Sequence, residues 1–189
     1  MPRKVDHQER RTLIADALTR LAAEQGLEAV SLRHVAAEAG VSAGMVQHYF
    51  RTRDEMMTFA MEVVRDRTQA RVSAAVVALG DDPAARDLLR TTIAALLPLD
   101  DDARDLGRVA LAFLAYTAVR PSLRTPLRAE TAQLTEHFAG LLPGRNGEGA
   151  AGLVAMMEGL GLYLLGGQLT PEQATQALDA QLDLLFSDR

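Results

Sequence analysis

Glycine and proline turn signals interrupt this chain about every 15 to 25 residues, and the segments between them have the pattern of amphipathic helices. The first segment is an example, with apolar side chains at helical spacing at Leu13, Ile14, Ala17, Leu18 and Leu21. Runs of β-branched residues are scarce, whereas alanine and arginine, both good helix formers, are abundant. The sequence therefore predicts an all-α fold.

The turn signals divide the chain into about nine helices. The predicted helices run from about Asp6 to Gln25, Ser31 to Gly40, Ser42 to Tyr49, Thr52 to Ala78, after Pro83 to Leu97, after Asp102 to Val119, after Pro121 to Leu142, Glu148 to Gly166 and Pro171 to Phe186. Gly26 caps the C-terminus of the first helix. The chain has neither an internal repeat nor a low-complexity tract, so the pattern does not predict a repeat architecture.

Side chains that cap helix N-termini mark several of these starts. Ser31 and Ser42 stand before the second and third helices. Thr52 is followed three residues later by a glutamate, which makes a capping box, and Thr170 and Gln173 form another. Because a cap satisfies backbone N–H groups that the helix leaves unpaired, these residues predict where the helices begin.

Composition excludes several classes of protein. Hydrophobic residues make up 48% of 189 residues, which is enough to bury a core and excludes a disordered chain. The absence of cysteine excludes disulfides, thiolate metal sites and cysteine nucleophiles. The charged N-terminus lacks a signal stretch, and the longest nearly uncharged apolar segment, Gly159 to Leu169, is too short to span a bilayer. We therefore expect a soluble, cytoplasmic protein without a membrane partner.

The segment from Ser31 to Phe50 has the pattern of a helix-turn-helix, because two short helices flank a glycine-centred turn. Gly40 can adopt a left-handed backbone angle that other residues resist, and Val41 would fill the angle between the helices. The major groove of B-DNA admits one helix, and a helix-turn-helix presents the N-terminal half of its second helix to it. The segment therefore predicts DNA binding.

At these residues the chain resembles the N-terminal domain of the tetracycline-repressor (TetR) family of bacterial regulators. The resemblance runs from about Arg11 to Met57, in the stretches Ile14 to Leu18, Gly26 to Arg33, Val35 to Gly44 and His48 to Met56. It implies a dimeric transcriptional regulator, usually a repressor, with a DNA-binding domain at residues 1–53 and a helical ligand-binding and dimerisation domain at residues 54–189. An activator on the same fold remains an alternative.

Charge is distributed in agreement with this division. Residues 1–53 contain eight Lys/Arg and six Asp/Glu, a net charge of +2, and residues 54–189 contain twelve and nineteen, a net charge of −7. The acidic excess of the chain therefore lies outside the segment that would contact DNA.

The resemblance also implies roles for individual residues of the first domain. The third helix would be the recognition helix, and Gln47, which stands where the family often has tyrosine, could pair with adenine or donate to phosphate. Predicted base-facing residues are Ala43, Gly44, Gln47 and His48, with Arg33 as a base or phosphate contact. Predicted phosphate contacts are Ser31, Ser42, Thr52 and Arg53, the last in place of a lysine common in the family. Arg3, Lys4, Arg10 and Arg11 would add non-specific electrostatic affinity.

Purely structural roles compete with some of these. For Tyr49 the sequence leaves two alternatives, a core residue and a phosphate contact. Phe50 is predicted to be a core residue. His34 and His48 have no third ligand at useful spacing, so we expect no metal and no cofactor.

The last two helices carry two leucine-rich stripes that predict a dimer interface. A single short helix reads too few bases, so such regulators pair across a two-fold axis to contact two half-sites. The predicted interface residues are Leu153, Met157, Leu160, Leu164, Leu178, Leu182 and Leu185. The alternative is that both stripes only fill the core of their own subunit.

The helices between residues 84 and 142 predict a pocket for an unidentified small apolar effector. The candidate lining residues are Leu89, Ile93, Phe113, Tyr116, Gln133 and His137 of these helices, and Met157 of the eighth helix could also reach the cavity. Most of these could equally be core. The effector would tilt the fourth helix and change the separation of the two recognition helices.

Two further readings lie outside transcription regulation. An enzyme is disfavoured, because the chain has no Gly-x-Ser-x-Gly, no phosphate-binding loop and no His-Glu-x-x-His, and the run Asp100 to Asp102 stands alone in a loop. A helical scaffold that has lost DNA binding is disfavoured by the intact caps at Ser31, Ser42 and Thr52.

Overall fold

A computed structural model describes the backbone of residues 3–26, 30–118 and 120–187, and the side chains within these ranges except those of residues 3–6 and 121–126. Nine α-helices and one 3-10 turn account for nearly all of these ranges, in agreement with the all-α prediction. They are α1 (Arg3–Gln25), α2 (Leu32–Glu38), α3 (Ala43–Tyr49), α4 (Arg53–Val77), α5 (Ala85–Leu96), α6 (Asp101–Ala118), α7 (Pro121–Leu141), the 3-10 turn (Pro143–Arg145), α8 (Gly147–Leu165) and α9 (Pro171–Phe186).

Most helix limits lie within one or two residues of the predicted ones. The first helix differs most, since it begins at Arg3 and not at Asp6. Helix α6 ends at Ala118, and the predicted end at Val119 falls outside the described residues.

The predicted caps explain this agreement. Ser31 Oγ accepts the His34 N–H at 3.2 Å, and Thr170 and Gln173 form the complete capping box at the start of α9. At α4 the box is shifted by one residue. Thr52 Oγ1 accepts the Glu55 N–H at 3.0 Å, but the Glu55 carboxylate accepts the N–H of Arg51 at 2.9 Å and not that of Thr52.

The chain divides into two compact units. The first comprises the described residues up to Arg67 together with Arg108–Tyr116. Its core is built from α1, α2, α3 and the first half of α4, with Leu18, Val35, Val46 and Met56 among the buried side chains. This unit therefore contains the helix-turn-helix.

The second unit comprises Thr68–Gly107 and the described residues from Thr117 onward. Its core lies between α5, α7, α8 and α9, where fully buried side chains include Leu89, Phe138, Leu153 and Leu178. The predicted domain boundary at residue 53 concerns function, whereas these two units are defined by packing. The boundary therefore stays a prediction.

Among the described residues, one helix, α8, is long and apolar enough to cross a membrane, judged by length and composition alone. The apolar segment predicted from the sequence, Gly159 to Leu169, is shorter than this helix, so the predicted length was wrong. In the second unit, Leu153, Val154 and Leu160 of this helix are buried in the core, which accounts for its apolar composition.

Ion pairs join α5 to α9 at the edge of this core. Arg90 Nε donates to Asp179 Oδ1 at 2.6 Å, and Arg86 Nη2 donates to Asp183 Oδ1 at 2.6 Å. The hydrogen bond from the Arg90 guanidinium lowers the pKa of Asp179 below its ordinary value of 3.8. Asp179 therefore stabilises the folded chain in its ionised form.

We expect Asp179→Asn to lower the free energy of unfolding near neutral pH by about 1 kcal/mol or less, because the ion pair is partly exposed. The folded-state pKa is the lower one, so the contribution is present above the unfolded-state pKa and disappears as the pH falls through the folded-state pKa. The difference between wild type and variant should therefore shrink below about pH 4. Urea denaturation at a series of pH values measures it, with the exposed loop substitution Asp81→Asn as control, and a difference that persists unchanged in acid would contradict the assignment.

Candidate nucleic-acid interface

The turn between α2 and α3 has the backbone geometry that the sequence predicts. Gly40 has a φ of +66°, in the left-handed region. The Val41 N–H donates to the Ala36 carbonyl at 2.9 Å, and the Gly40 N–H donates to the Ala37 carbonyl at 3.2 Å. These two bonds are those of a Schellman motif, which ends one helix and sets the direction of the chain that follows. The helix-turn-helix prediction is therefore confirmed in geometry.

One side of α3 is buried and the other faces solvent. Val46 is fully buried, whereas Gly44, Gln47 and His48 are exposed and Ala43 is half-buried. Helix α3 therefore exposes three of the four residues that are predicted to face DNA, Gly44, Gln47 and His48, and leaves Ala43 half-buried.

The second helix is held to its neighbour by a polar contact. Arg33 on α2 is exposed, and Glu38 at the end of α2 accepts a hydrogen bond from Arg20 of α1 at 2.7 Å. Arg20 therefore joins α1 to α2 by an ion pair with Glu38, while Arg33 remains on the surface.

The predicted phosphate-binding hydroxyls are already used as helix caps. Ser42 Oγ accepts the Met45 N–H at 3.1 Å, just as Ser31 and Thr52 accept N–H groups of their own helices. A hydroxyl has one proton and two lone pairs, so a capping hydroxyl retains its proton as a donor. All three residues are exposed, and capping is therefore compatible with donation to a phosphate oxygen.

Two aromatic residues at the end of α3 have different environments. Phe50 is 0% exposed and lies 5.6 Å from the Phe59 ring, between centroids, which confirms it as a core residue. The half-buried Tyr49 ring lies edge-on to His7 of α1 and to His48, at 4.7 Å and 5.3 Å between centroids. His7 of α1 therefore packs beside α3.

Arg11 lies over two phenylalanine rings of the first unit with 26% of its side chain exposed, and the prediction that it adds electrostatic affinity for DNA stays a prediction. Its guanidinium carbon lies 4.4 Å from the Phe59 ring centroid and 5.0 Å from that of Phe50. A guanidinium Nη lies 3.9 Å from a Glu55 carboxylate oxygen. Its apolar stem and planar head suit a position over neighbouring aromatic rings. Arg10 is exposed, and the side chains of Arg3 and Lys4 lie outside the described residues.

The start of α4 has a contact that sequence reasoning missed. Arg53 is exposed, and its guanidinium carbon lies 5.8 Å from the ring centroid of Tyr116 on α6. The Tyr116 hydroxyl donates a hydrogen bond to Asp54 Oδ1. Tyr116, a predicted effector contact, therefore lies against the first turn of α4, in the unit that contains the helix-turn-helix. The two contacting positions are too far apart in sequence for a local pattern to relate them.

The other effector candidates lie in three different environments. Leu89, Ile93 and Met157 are buried together in the core of the second unit. Phe113 stacks on Tyr116 in the first unit, with ring centroids 6.4 Å apart. Gln133 and His137 are exposed on α7.

A shallow, open depression of about 560 Å³ lies along α7. It is lined by Leu127, Arg128, Thr131, Ala132, Thr135 and Glu136. None of the predicted effector contacts lines it, and all six residues belong to a single helix. The depression therefore lacks the several converging elements of a binding pocket.

The predicted dimer residues are directed into the chain's own core. Leu153, Met157, Leu160, Leu164, Leu178 and Leu182 are all buried in the second unit, and Leu185 packs against them partly buried. The outer faces of the same two helices also carry large apolar side chains. Leu162 is 49% exposed, Tyr163 is 51% exposed and Leu184 is 73% exposed. A second copy that docks on α8 and α9 would therefore first meet these outer residues.

Comparison with known proteins assigns both parts of the chain. Residues 14–58 match the family described as bacterial regulatory proteins of the tetR family. Residues 85–187 match the family described as the C-terminal region of BetI-type transcriptional repressors. The chain is 31% identical to the HTH-type transcriptional regulator BetI of Burkholderia thailandensis, over 100% of both chains.

Solved structures show the same architecture. A transcriptional regulator from Rhodococcus sp. Rha1 is 35% identical, with a TM-score of 0.82 over 93% of this chain and 95% of that one. The multidrug binding protein EbrR, solved with imidazole, is 31% identical, with a TM-score of 0.64 over 91% of this chain and 94% of that one. The likeness therefore extends over both compact units.

Proposed function

This chain belongs to the tetR family of bacterial regulatory proteins and is a DNA-binding transcriptional regulator, and from that premise we propose that it is a repressor released from its operator by a small apolar effector. The observation that carries DNA binding is the exposed side of α3, which is held by the Gly40 turn and carries Gln47 and His48. The match of residues 85–187 to the C-terminal region of BetI-type repressors supports repression.

The DNA contacts that we propose divide into two kinds. Base edges in the major groove would be read by Gln47, with His48, Ala43 and Gly44 at the same surface and Arg33 beside it. A glutamine amide can both donate to and accept from adenine, and an arginine can bind guanine or phosphate. Phosphates would be bound by Ser31, Ser42, Thr52 and Arg53, with the Tyr49 hydroxyl as a further contact, and such contacts fix position and not sequence. The exposure of all these residues except the half-buried Ala43 and Tyr49 supports the assignment.

Binding to DNA is tested with the full-length protein and a random-sequence duplex library. We expect repeated selection to recover one preferred duplex, and we expect its affinity to fall steeply with salt, as several phosphate contacts require. Fluorescence anisotropy of that duplex measures both quantities. The proposal is overturned if no sequence is enriched, or if the chain fails to bind any duplex at low salt.

We propose that the regulator acts as a homodimer through α8 and α9. The buried leucine stripe would pack these helices within each chain, while Leu162, Tyr163 and Leu184 would be covered by the second copy. Exposed apolar side chains of this size on adjacent helices support an interface. Sedimentation velocity tests the proposal, which fails if only a 20.4 kDa species is present at micromolar concentrations.

The effector would bind in the helical part of the chain, residues 54–189, and reduce affinity for DNA. The family membership and the likeness to EbrR, a multidrug binding protein, support an apolar ligand. Because α4 starts in the first unit and continues in the second, tilting it would change the spacing of the two recognition helices from about 34 Å. Such coupling requires a ligand that favours the state incompetent to bind DNA.

Effector coupling is tested by screening small apolar compounds for a rise in melting temperature and then measuring operator affinity with each compound that binds. A compound that binds tightly and leaves operator affinity unchanged would contradict the coupling. We further infer that the protein acts in the cytoplasm, because its target is chromosomal DNA and its relatives are transcriptional regulators.

A further inference from the structure

The Tyr49 ring, at the end of α3, packs against two imidazoles. His7 of α1 lies edge-on to it, with 4.7 Å between ring centroids and 61° between ring planes. His48 lies on the same ring at 5.3 Å and 80°. Among the side chains that the structure describes, none forms a hydrogen bond with the Tyr49 hydroxyl. The ring therefore has defined neighbours, while the phenol O–H retains its capacity to donate to them or to DNA.

The contact with His7 differs from that with His48 because it comes from another helix. His48 adjoins Tyr49 in the chain and moves with it, so it cannot fix the ring relative to the rest of the unit. Helix α3 has seven residues, and a helix of two turns has little stability of its own. The side chain of its last residue is therefore fixed by tertiary contacts, of which His7 supplies one from α1.

A phenol held in one orientation binds phosphate better than a mobile phenol. Its proton can be donated to an anionic oxygen, and such charge-assisted hydrogen bonds are shorter and stronger than neutral ones. If the ring is already fixed in the free protein, less conformational entropy is lost when DNA binds. Edge-to-face aromatic pairs are favourable beyond the area that they bury, so an imidazole at this distance can fix the ring.

We propose that His7 is a positioning residue for DNA binding, which packs on the Tyr49 ring and holds its hydroxyl in place for a phosphate. The inference rests on the proposed function, in which the Tyr49 hydroxyl contacts phosphate. His7 itself touches no DNA in this proposal and acts through the packing of its ring. An aromatic ring without N–H groups should therefore serve at the same position.

The test compares His7→Ala with His7→Phe on the duplex selected by the wild-type protein. We expect His7→Ala to lower affinity about fivefold, the effect of one lost aromatic pair, and His7→Phe to retain wild-type affinity. The slope of log affinity against log salt should be unchanged in both variants, because a neutral hydroxyl releases no counterion. Gln8→Ala, at the neighbouring exposed position of α1, is the control and should change neither quantity.

A double variant tests whether His7 acts through Tyr49. Tyr49→Phe alone should weaken binding about tenfold, through the loss of one hydrogen bond to a charged group. Adding His7→Ala to Tyr49→Phe should then cost little further affinity, because no hydroxyl remains to be positioned. Thermal unfolding of each variant verifies that the chain is folded at the assay temperature.

The packing of the ring is measured separately, without DNA. The chain has three tyrosines, so labelling with fluorotyrosine gives three fluorine NMR signals, and the signal that Tyr49→Phe removes belongs to Tyr49. We expect His7→Ala to shift this signal, because the ring loses an aromatic neighbour 4.7 Å away. The signals of Tyr116 and Tyr163 should stay in place.

The inference is overturned if His7→Ala binds as the wild type does, if the Tyr49 signal does not move, or if the effect of His7→Ala adds fully to that of Tyr49→Phe. It is overturned also if His7→Phe binds as weakly as His7→Ala, or if His7→Ala lowers the salt slope, since the imidazole would then contact DNA itself. Failure of the proposed function gives a different result, because the wild-type protein then enriches no duplex.

Discussion

Replacing Gln47 and Arg33 together by alanine is expected to lower affinity for the selected duplex by about a hundredfold and to abolish discrimination between sequences. Each side chain is exposed and lies on or beside α3, so neither substitution removes a core contact. A good base contact contributes about 1–3 kcal/mol of discrimination, and two such contacts account for the expected loss. Competition anisotropy with selected and scrambled duplexes measures the change.

The matched control removes the same two residue types from another exposed surface. Arg65→Ala with Gln69→Ala, both on α4, changes the net charge equally and should retain selectivity. Sedimentation velocity should find the same oligomeric state for both double variants and the wild type. If the Gln47 and Arg33 double variant recognises its duplex as well as the parent does, α3 is not the reading element.

Replacing Phe50 by alanine is expected to destabilise the DNA-binding unit by about 3–5 kcal/mol, the usual cost of removing a buried phenylalanine. The ring is fully buried against Phe59, and Arg11 lies over both rings. Arg11 Nε is buried and finds no hydrogen-bond acceptor among the residues that the structure describes, while the guanidinium contacts the two rings and lies 3.9 Å from a Glu55 carboxylate oxygen. Removing one ring therefore creates a cavity and also removes one of the two cation–π contacts of Arg11.

Chemical denaturation monitored by circular dichroism measures this effect, and Phe50→Leu serves as the control, with a smaller loss because most of the volume is retained. Phe113→Ala, at a half-buried position on α6, should cost less than Phe50→Ala. Equal losses at Phe50 and Phe113 would contradict the assignment of Phe50 to the core. Because Phe50 touches no DNA in this assignment, low temperature or a stabilising osmolyte should restore DNA binding by Phe50→Ala.

Local interactions explain why so much of the helix-turn-helix is predictable. The caps at Ser31 and Ser42 join residues three apart, and the turn at Gly40 depends on a glycine with a φ of +66°. Each feature involves side chains and backbone within one turn of helix, so its chemistry is visible in consecutive residues. The exposed face of α3 follows from helical periodicity, because a buried Val46 directs its neighbour Gln47 outward.

Periodicity alone could not decide what the apolar stripes of α8 and α9 contact. Leu153 and Leu178 are buried within the chain, although their spacing suits a dimer interface equally well. An apolar stripe indicates that one face of a helix is buried, but it does not identify the surface that buries it. The same limit applies to Leu89 and Phe113, which the sequence groups in one pocket and the structure separates between two units.

The sequence by itself determined the helices, their caps, the DNA-reading turn and the family, because all of these depend on residues that are near one another along the chain. Only the tertiary structure decided that Arg11 lies over the rings of two phenylalanines and that Tyr116 reaches Asp54 on a helix far away in sequence. Contacts between distant segments depend on how whole helices pack, and the pattern of residue types along the chain does not specify that packing.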